Sequence, residues 1–240
     1  MHRSIVAIHQ PNFFPWLGYF NKIARADTFC VLDNVQFPKT GGTWTNRVRL
    51  MVGGKPAWIT VPVVRSYHGT RSIDQMRISP DPHWRTKLMK TLRGNYGRGP
   101  YFKQVFPLLE TLIQNPTESL ARYNENATAQ LSAALGLDRT KFVRVSTLET
   151  TGEATDRLIS IVREVHGTAY LCGGGAGGYQ EDDKFAAAGI ELIHQDFQPP
   201  IYPQPSKSEF VAGLSVIDAL MNCGFEETAQ LVREQGCQVH

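Results

Sequence analysis

Hydrophobic and polar positions change period several times along the chain, and the changes outline alternating strands and helices. Ile5–Ile8 is an apolar run of strand length, closed by polar His9-Gln10 and the breaker pair Pro11-Asn12. Pro15 then opens a helix whose apolar residues Trp16, Leu17, Tyr19, Phe20 and Ile23 follow an i, i+3, i+4, i+7 spacing. Thr28–Leu32 reads as a second strand and ends on Asp33. A long loop rich in Gly, Thr and Asn follows, and Trp44, Asn46, Arg47 and Arg49 mark it as ligand-facing. Val48–Val52 and Ala57–Val63 make a β-hairpin through Gly53-Gly54, and residues 65–80 are irregular.

The period then lengthens. Asp81-Pro82 caps a helix over Pro82–Asn95 with Trp84, Leu88 and Leu92 on its apolar stripe. A second helix covers Tyr101–Ile113. A third starts after Asn115-Pro116 and runs to Leu135, with Gly136 as its C-cap. The three form a helical insertion at about 82–135.

From Phe142 the short alternation returns: strand Phe142–Val145, helix Glu153–His166, strand Ala169–Cys172, helix Glu181–Ala188 and strand Ile190–Ile193. A Pro-rich extended segment, 196–210, leads to closing helices at Leu214–Asn222 and Glu226–Glu234. Strands alternating with helices in this way predict an α/β fold: a mostly parallel sheet with flanking helices, a β-hairpin and the inserted helical lobe. The whole of 1–240 reads as one α/β domain. His9, Asp33, Ser146, Gly173 and Gln195 each follow a predicted strand, so together they predict a polar rim on the carboxyl edge of the sheet.

Composition narrows the functional classes. A length of 240 residues with 42% hydrophobic content suffices for one sizeable core. The net charge is only +3 and Arg is spread along the chain, so no nucleic-acid partner is implied. Cys30, Cys172, Cys223 and Cys237 lack CxxC spacing, which makes reduced thiols in a cytoplasmic protein the expectation. No signal-peptide profile or apolar run of membrane-spanning length is present. No HExxH or H-x-H spacing points to a metal, and there is no GxSxG elbow.

His9 heads the candidate chemistry, as a strand-end imidazole able to act as a base, acid or nucleophile. Asp33 is its expected partner, fixing the tautomer. The glycine-rich loop Gly173–Gly178 suits close approach of backbone N–H groups to an anion, although it fits neither GxGxxG nor the GxxxxGK[ST] pattern. Arg47 and Arg49 share one strand face and suit a phosphate or carboxylate. Cys172 could be a nucleophile beside the loop, but a buried, inert strand-end thiol is the simpler expectation.

IHQPNFFPWLGYFNKI, DNVQF, TNRVRL, WITVPV, YLCGGGAGGY, QDF…YPQ and LSVIDALMNCG, in this order, give the chain a resemblance to the WbqC-like family of bacterial proteins. The resemblance spans essentially the whole chain. It implies work in surface-polysaccharide biosynthesis, such as O-antigen or capsule, on a sugar or nucleotide-linked sugar. Its motifs point to His9, Gln10, Asn12, Asp33, Gln36, Asn46, Arg47, Gly173, Gly174, Gly175, Tyr179, Tyr202, Gln204, Asp218 and Asn222. Serine is the more common residue expected where this chain has Cys172.

The combined expectation is a transferase modifying an amino sugar or nucleotide-linked sugar, with acyl or aminoacyl transfer favoured. His9 and Asp33 are its catalytic pair, and the other residues just named bind substrate, because sugar hydroxyls need groups that both donate and accept. No cofactor is required, but an activated acyl or aminoacyl donor fits the chemistry. A hydrolase or lyase acting on a sugar derivative and a non-catalytic carbohydrate-binding subunit are the alternatives.

Overall fold

Three consecutive residues, Val6, Ala7 and Ile8, are buried although neighbours in a strand point to opposite faces. Such a strand must lie inside a sheet covered on both sides. The computed structural model describes residues 3–173, 181–204 and 209–233 of this chain. In chain order it runs β1 (Ile5–His9), α1 (Leu17–Arg25), β2 (Thr28–Val31), β3 (Arg47–Val52) and β4 (Lys55–Thr60). The helices α2 (His83–Tyr96), α3 (Phe102–Ile113) and α4 (Leu120–Ala134) follow. The chain continues with β5 (Lys141–Arg144), α5 (Ala154–Glu164), β6 (Ala169–Cys172), α6 (Asp182–Ala187), β7 (Glu191–His194) and α7 (Val216–Arg233).

β1 pairs in parallel with β2 on one side and β6 on the other, and β5 and β7 extend the sheet outward. The sheet order is β5-β2-β1-β6-β7, with β3-β4 as a separate antiparallel hairpin. Counting the sheet strands alone, the order across it is third, second, first, fourth, fifth. That is a doubly wound arrangement whose direction of winding reverses between β1 and β6. The expected α/β architecture, with its parallel sheet, flanking helices and hairpin, is present. Boundaries differ by up to about three residues: the second hairpin strand covers Lys55–Thr60 rather than Ala57–Val63, and the last sheet strand ends on His194 rather than Ile193.

Alternation divides the core. Val6, Ile8, Cys30, Tyr170 and Cys172 pack with Ile159, Ile161, Val162 and Phe185 of α5 and α6. Ala7, Phe29, Val31 and Leu171 pack on the other face with α1, α7 and the helical lobe. α1 is held against α7 by polar contacts as well: Asn21 Nδ2 donates to the Val232 carbonyl at 2.8 Å, and Ser215 Oγ donates to Phe14 O at 2.7 Å. The Trp16 ring folds over Gly18, where a Cβ would lie 2.3 Å from the indole. Gly224, with φ 75° and the Tyr101 ring against it, breaks α7 into the two closing helices that the sequence predicts.

Asp218 joins four segments. It is fully buried and accepts hydrogen bonds from Tyr96 OH (2.5 Å), Tyr202 OH (2.9 Å) and Gln204 Nε2 (3.2 Å). The Tyr96 hydroxyl also accepts from the Met51 N–H at 3.2 Å, which carries the network into β3. Burial raises the Asp218 carboxyl above its ordinary value, and the three donors oppose that rise. Asp218→Ala leaves those donors buried without an acceptor, and should cost about 3 kcal/mol or more by chemical denaturation. Asp218→Asn should cost less. It should also remove the loss of stability that ionising a raised carboxyl imposes as pH climbs from the ordinary carboxylate range through the folded value.

Candidate functional site

Parallel pairing places all five carboxyl ends on one edge, so the expected polar rim exists. A cleft of about 380 Å³ opens at its middle, lined among others by His9, Gln10, Lys22, Arg157, Tyr170 and Gly173. It sits where β1 and β6 end, at the point where the winding reverses, and its volume lies in the range of small-molecule sites. Ile8, Leu32, Val35, Leu158 and Ile161 supply an apolar wall.

The turn after β1 is fixed through its backbone. The Gln10 carbonyl accepts from the Tyr19 hydroxyl at 3.0 Å and lies 3.1 Å from His9 Nδ1, so neutral His9 donates through Nδ1 and keeps Nε2 as an acceptor. Asn124 Nδ2 donates to Pro11 O at 2.9 Å and to Thr45 O at 2.7 Å, tying the turn to the helical lobe and the following loop. Burial, then the Lys22 ammonium, push the His9 imidazole down to about 3, against the Gln10 hydrogen bond. His9 is therefore neutral at physiological pH and a much weaker base than an exposed imidazole.

The expected His9–Asp33 pair is not formed. Asp33 is buried, and its Oδ1 and Oδ2 accept from Ser146 N at 2.9 Å and Ser146 Oγ at 2.7 Å. The carboxylate thus joins the ends of β2 and β5, and it orients no imidazole. Gln195 is committed too, donating to Gly18 O at 2.7 Å and Asn21 Oδ1 at 2.9 Å.

Several expected binding residues lie elsewhere. Asn46 is buried and bonded to Thr43 N and Val61 O, a loop brace. Arg47 stacks over Trp58 at 4.3 Å, and Gln36 is exposed in a bridge to Ser72. Asn12 is buried and does not line the cleft. Tyr202, Gln204 and Asp218 form the buried network described above, and Asn222 Nδ2 bonds back to Asp218 O at 2.8 Å. Of the glycine-rich loop, Gly173 lines the cleft; Gly174, Gly175 and Tyr179 fall outside the described residues.

Lys22 is the residue that sequence reasoning missed. It lies on α1 with only 3% exposure, and Gly173 faces its Nζ, 3.3 Å from where a Cβ would stand. It makes no hydrogen bond or ion pair with the described residues, and burial pushes its ammonium down to about 8, against the influence of Cys172. Arg157, the second cation of the cleft, holds Asn34 Oδ1 at 2.6 Å, and no carboxylate lines the cleft among the described residues. The fold alone reveals it: every residue from Leu17 to Ile23 in α1 is buried, so a lysine there has no polar face to occupy.

These features define a doubly wound α/β protein with a cation-lined, ligand-sized cleft at the switch point of its sheet. The chain belongs to the WbqC-like protein family, whose model matches residues 10–230. It is similar to Uncharacterized protein Rv1507c of Mycobacterium tuberculosis, 27% identical over 222 residues that take in 92% of this chain and 94% of that protein. No solved structure matches it. No helix among the described residues is long and apolar enough to cross a membrane.

A buried ammonium with no carboxylate beside it among the described residues costs stability. The cost is present below about 8 and eases as pH rises from there toward the ordinary lysine range, because the fold releases the proton before the unfolded chain does. Lys22→Met should therefore stabilise the unliganded protein at neutral pH by about 1–3 kcal/mol. A lower melting temperature for this variant would show the ammonium to be a structural contact.

Proposed function

We propose that this chain is a transferase modifying an amino sugar or nucleotide-linked sugar, by acyl or aminoacyl transfer, in bacterial surface-polysaccharide biosynthesis. The observation that carries the reading is the cleft's charge: Lys22 and Arg157 line it, and no described carboxylate there answers them. A ligand with phosphate or carboxylate groups supplies the missing negative charge. The apolar wall suits the C–H face of a sugar or the ring of a base. The N-terminal turn of α5, from Ala154 to Arg157, adds the positive end of a helix dipole.

His9 enters this scheme in a role narrower than general base. Its Nε2 accepts a hydrogen bond from the attacking amine or hydroxyl and orients the lone pair toward the acyl carbon. Lys22 and Arg157 hold the charged part of the substrate. Anion binding offsets the Lys22 charge that helps depress His9, so the imidazole becomes more basic when substrate is bound.

A second reading, a carbohydrate-binding subunit without turnover, draws on a different feature. Trp44 and Trp58 are 44% and 45% exposed, with ring centroids 5.2 Å apart, a platform on which sugar rings can stack. Incubation of the protein with nucleotide-linked amino sugars and activated acyl donors, followed by mass spectrometry of the small molecules, separates the two. An acylated sugar supports the transferase; saturable binding with no product over long incubation supports the subunit.

Charge also sets a pH dependence. Calorimetric titration with a nucleotide-diphosphate sugar should give steady affinity up to about pH 8 and then weakening of up to about tenfold per unit, as Lys22 loses its proton. Lys22→Met should weaken binding roughly 10-fold or more and abolish that fall. Equal affinity for the neutral sugar lacking phosphate, in parent and variant alike, would refute the anionic assignment.

A further inference from the structure

Cys172 and His194 end the neighbouring strands β6 and β7 and are register partners in the parallel ladder. Register partners project to the same face, and here Cys172 Sγ lies 3.3 Å from His194 Nδ1. On the far side of the imidazole, Nε2 is 3.8 Å from Asp182 Oδ2. A carboxylate there favours the tautomer protonated on Nε2, which leaves the Nδ1 lone pair toward the sulfur. The thiol and the carboxylate flank opposite nitrogens and do not converge. No group of described His, Cys, Asp or Glu residues could hold a metal ion.

Lys22 is a separate observation pointing to the same place. Its side chain is almost wholly buried, lacks a hydrogen-bonding or ion-pairing partner among the described residues, and sits against Gly173, the residue after Cys172. It is close enough to Cys172 for their charges to interact. A cation beside a thiol favours the thiolate, the form that attacks. Tyr170 and Gly173, on either side of Cys172 in sequence, both line the cleft.

We propose that Cys172 is a nucleophile that carries the transferred acyl group as a thioester, with His194 as its proton partner. The proposal rests on the acyl-transfer reading above and supplies its covalent step; the donor it takes is an acyl thioester. The Sγ proton passes to His194 Nδ1 as the thiolate attacks the donor carbonyl carbon. The tetrahedral adduct collapses, the donor C–S bond breaks, and the departing thiolate takes the proton back from Nδ1. The sugar amine then attacks the acyl–Cys172 carbonyl. A C–N bond forms, the bond to Sγ breaks, and the amine proton returns through His194 to the Cys172 thiolate.

Alkylation by iodoacetamide, read residue by residue by peptide mass spectrometry across a pH series, tests the pair. Cys30 and Cys223, whose thiols burial pushes up to about 12, are internal controls in the same folded protein. Cys172 should react at least about tenfold faster than either at pH 7. His194→Ala changes an exposed side chain and should keep the parental melting temperature. It should slow Cys172 alkylation at pH 7 about tenfold, moving the midpoint up by about one unit. All three thiols are buried, so burial alone does not separate them, and a Cys172 no faster than Cys30 and Cys223, or a profile unmoved in His194→Ala, overturns the proposal. Sugar acylation by Cys172→Ala at the parental kcat would remove the thioester step and leave the transferase reading standing. A reactive, His194-dependent Cys172 in a protein that binds no sugar phosphate would keep the nucleophile and remove that reading.

Discussion

Parallel pairing of β1 with β2 on one side and β6 on the other is the constraint on which the rest depends. Because the strands share one direction, every carboxyl end opens on the same edge. Because the winding reverses at β1 and β6, the crossovers diverge there and leave a crevice. His9 and Gly173 border that crevice for reasons of topology, before any chemistry is considered. The register between β6 and β7 follows from the same ladder and sets Cys172 beside His194. One backbone arrangement thus brings a neutral imidazole, a buried ammonium and a thiol–imidazole pair to a single edge.

The environments of the titratable groups then divide their roles. His9 and Lys22 are both pushed by burial toward their neutral forms, to about 3 and about 8, and the ammonium adds to the effect on the imidazole. At neutral pH one remains charged and the other does not. Among the described residues no carboxylate lies beside that cation, so its charge is held at a cost. Asp33 lies on the same edge but answers neither group, because Ser146 occupies both of its oxygens.

Much of the fold was legible in the chain because strands buried on both faces appear as short apolar runs, and those runs end where polar residues begin. Ile5–Ile8 and Ala169–Cys172 show this directly, and the polar rim followed from it. The site was legible only in part. Lys22 escaped notice because a helical lysine ordinarily reaches solvent, and only the packing of α1 between sheet and α7 denies it that. Asp218 and Tyr202 looked like substrate ligands, whereas their partner Tyr96 lies 122 positions from Asp218, a contact that no local pattern encodes. His194 was passed over through a one-residue slip at the end of β7, which gave the strand-end role to Gln195.

The contacts between α1 and α7 have a consequence for how the protein is made. Asn21 emerges early in synthesis, yet the acceptor for its side-chain N–H is the carbonyl of Val232. The Phe14 carbonyl, seven residues earlier, waits for Ser215. At about 5–20 residues per second, the wait between Asn21 and Val232 lasts roughly ten to forty seconds. Throughout it, the apolar face that α1 later gives to α7 has no partner on the nascent chain. The helix that carries the cleft's buried ammonium thus gains its α7 partner long after Gly173, the last described residue lining the cleft, has been made.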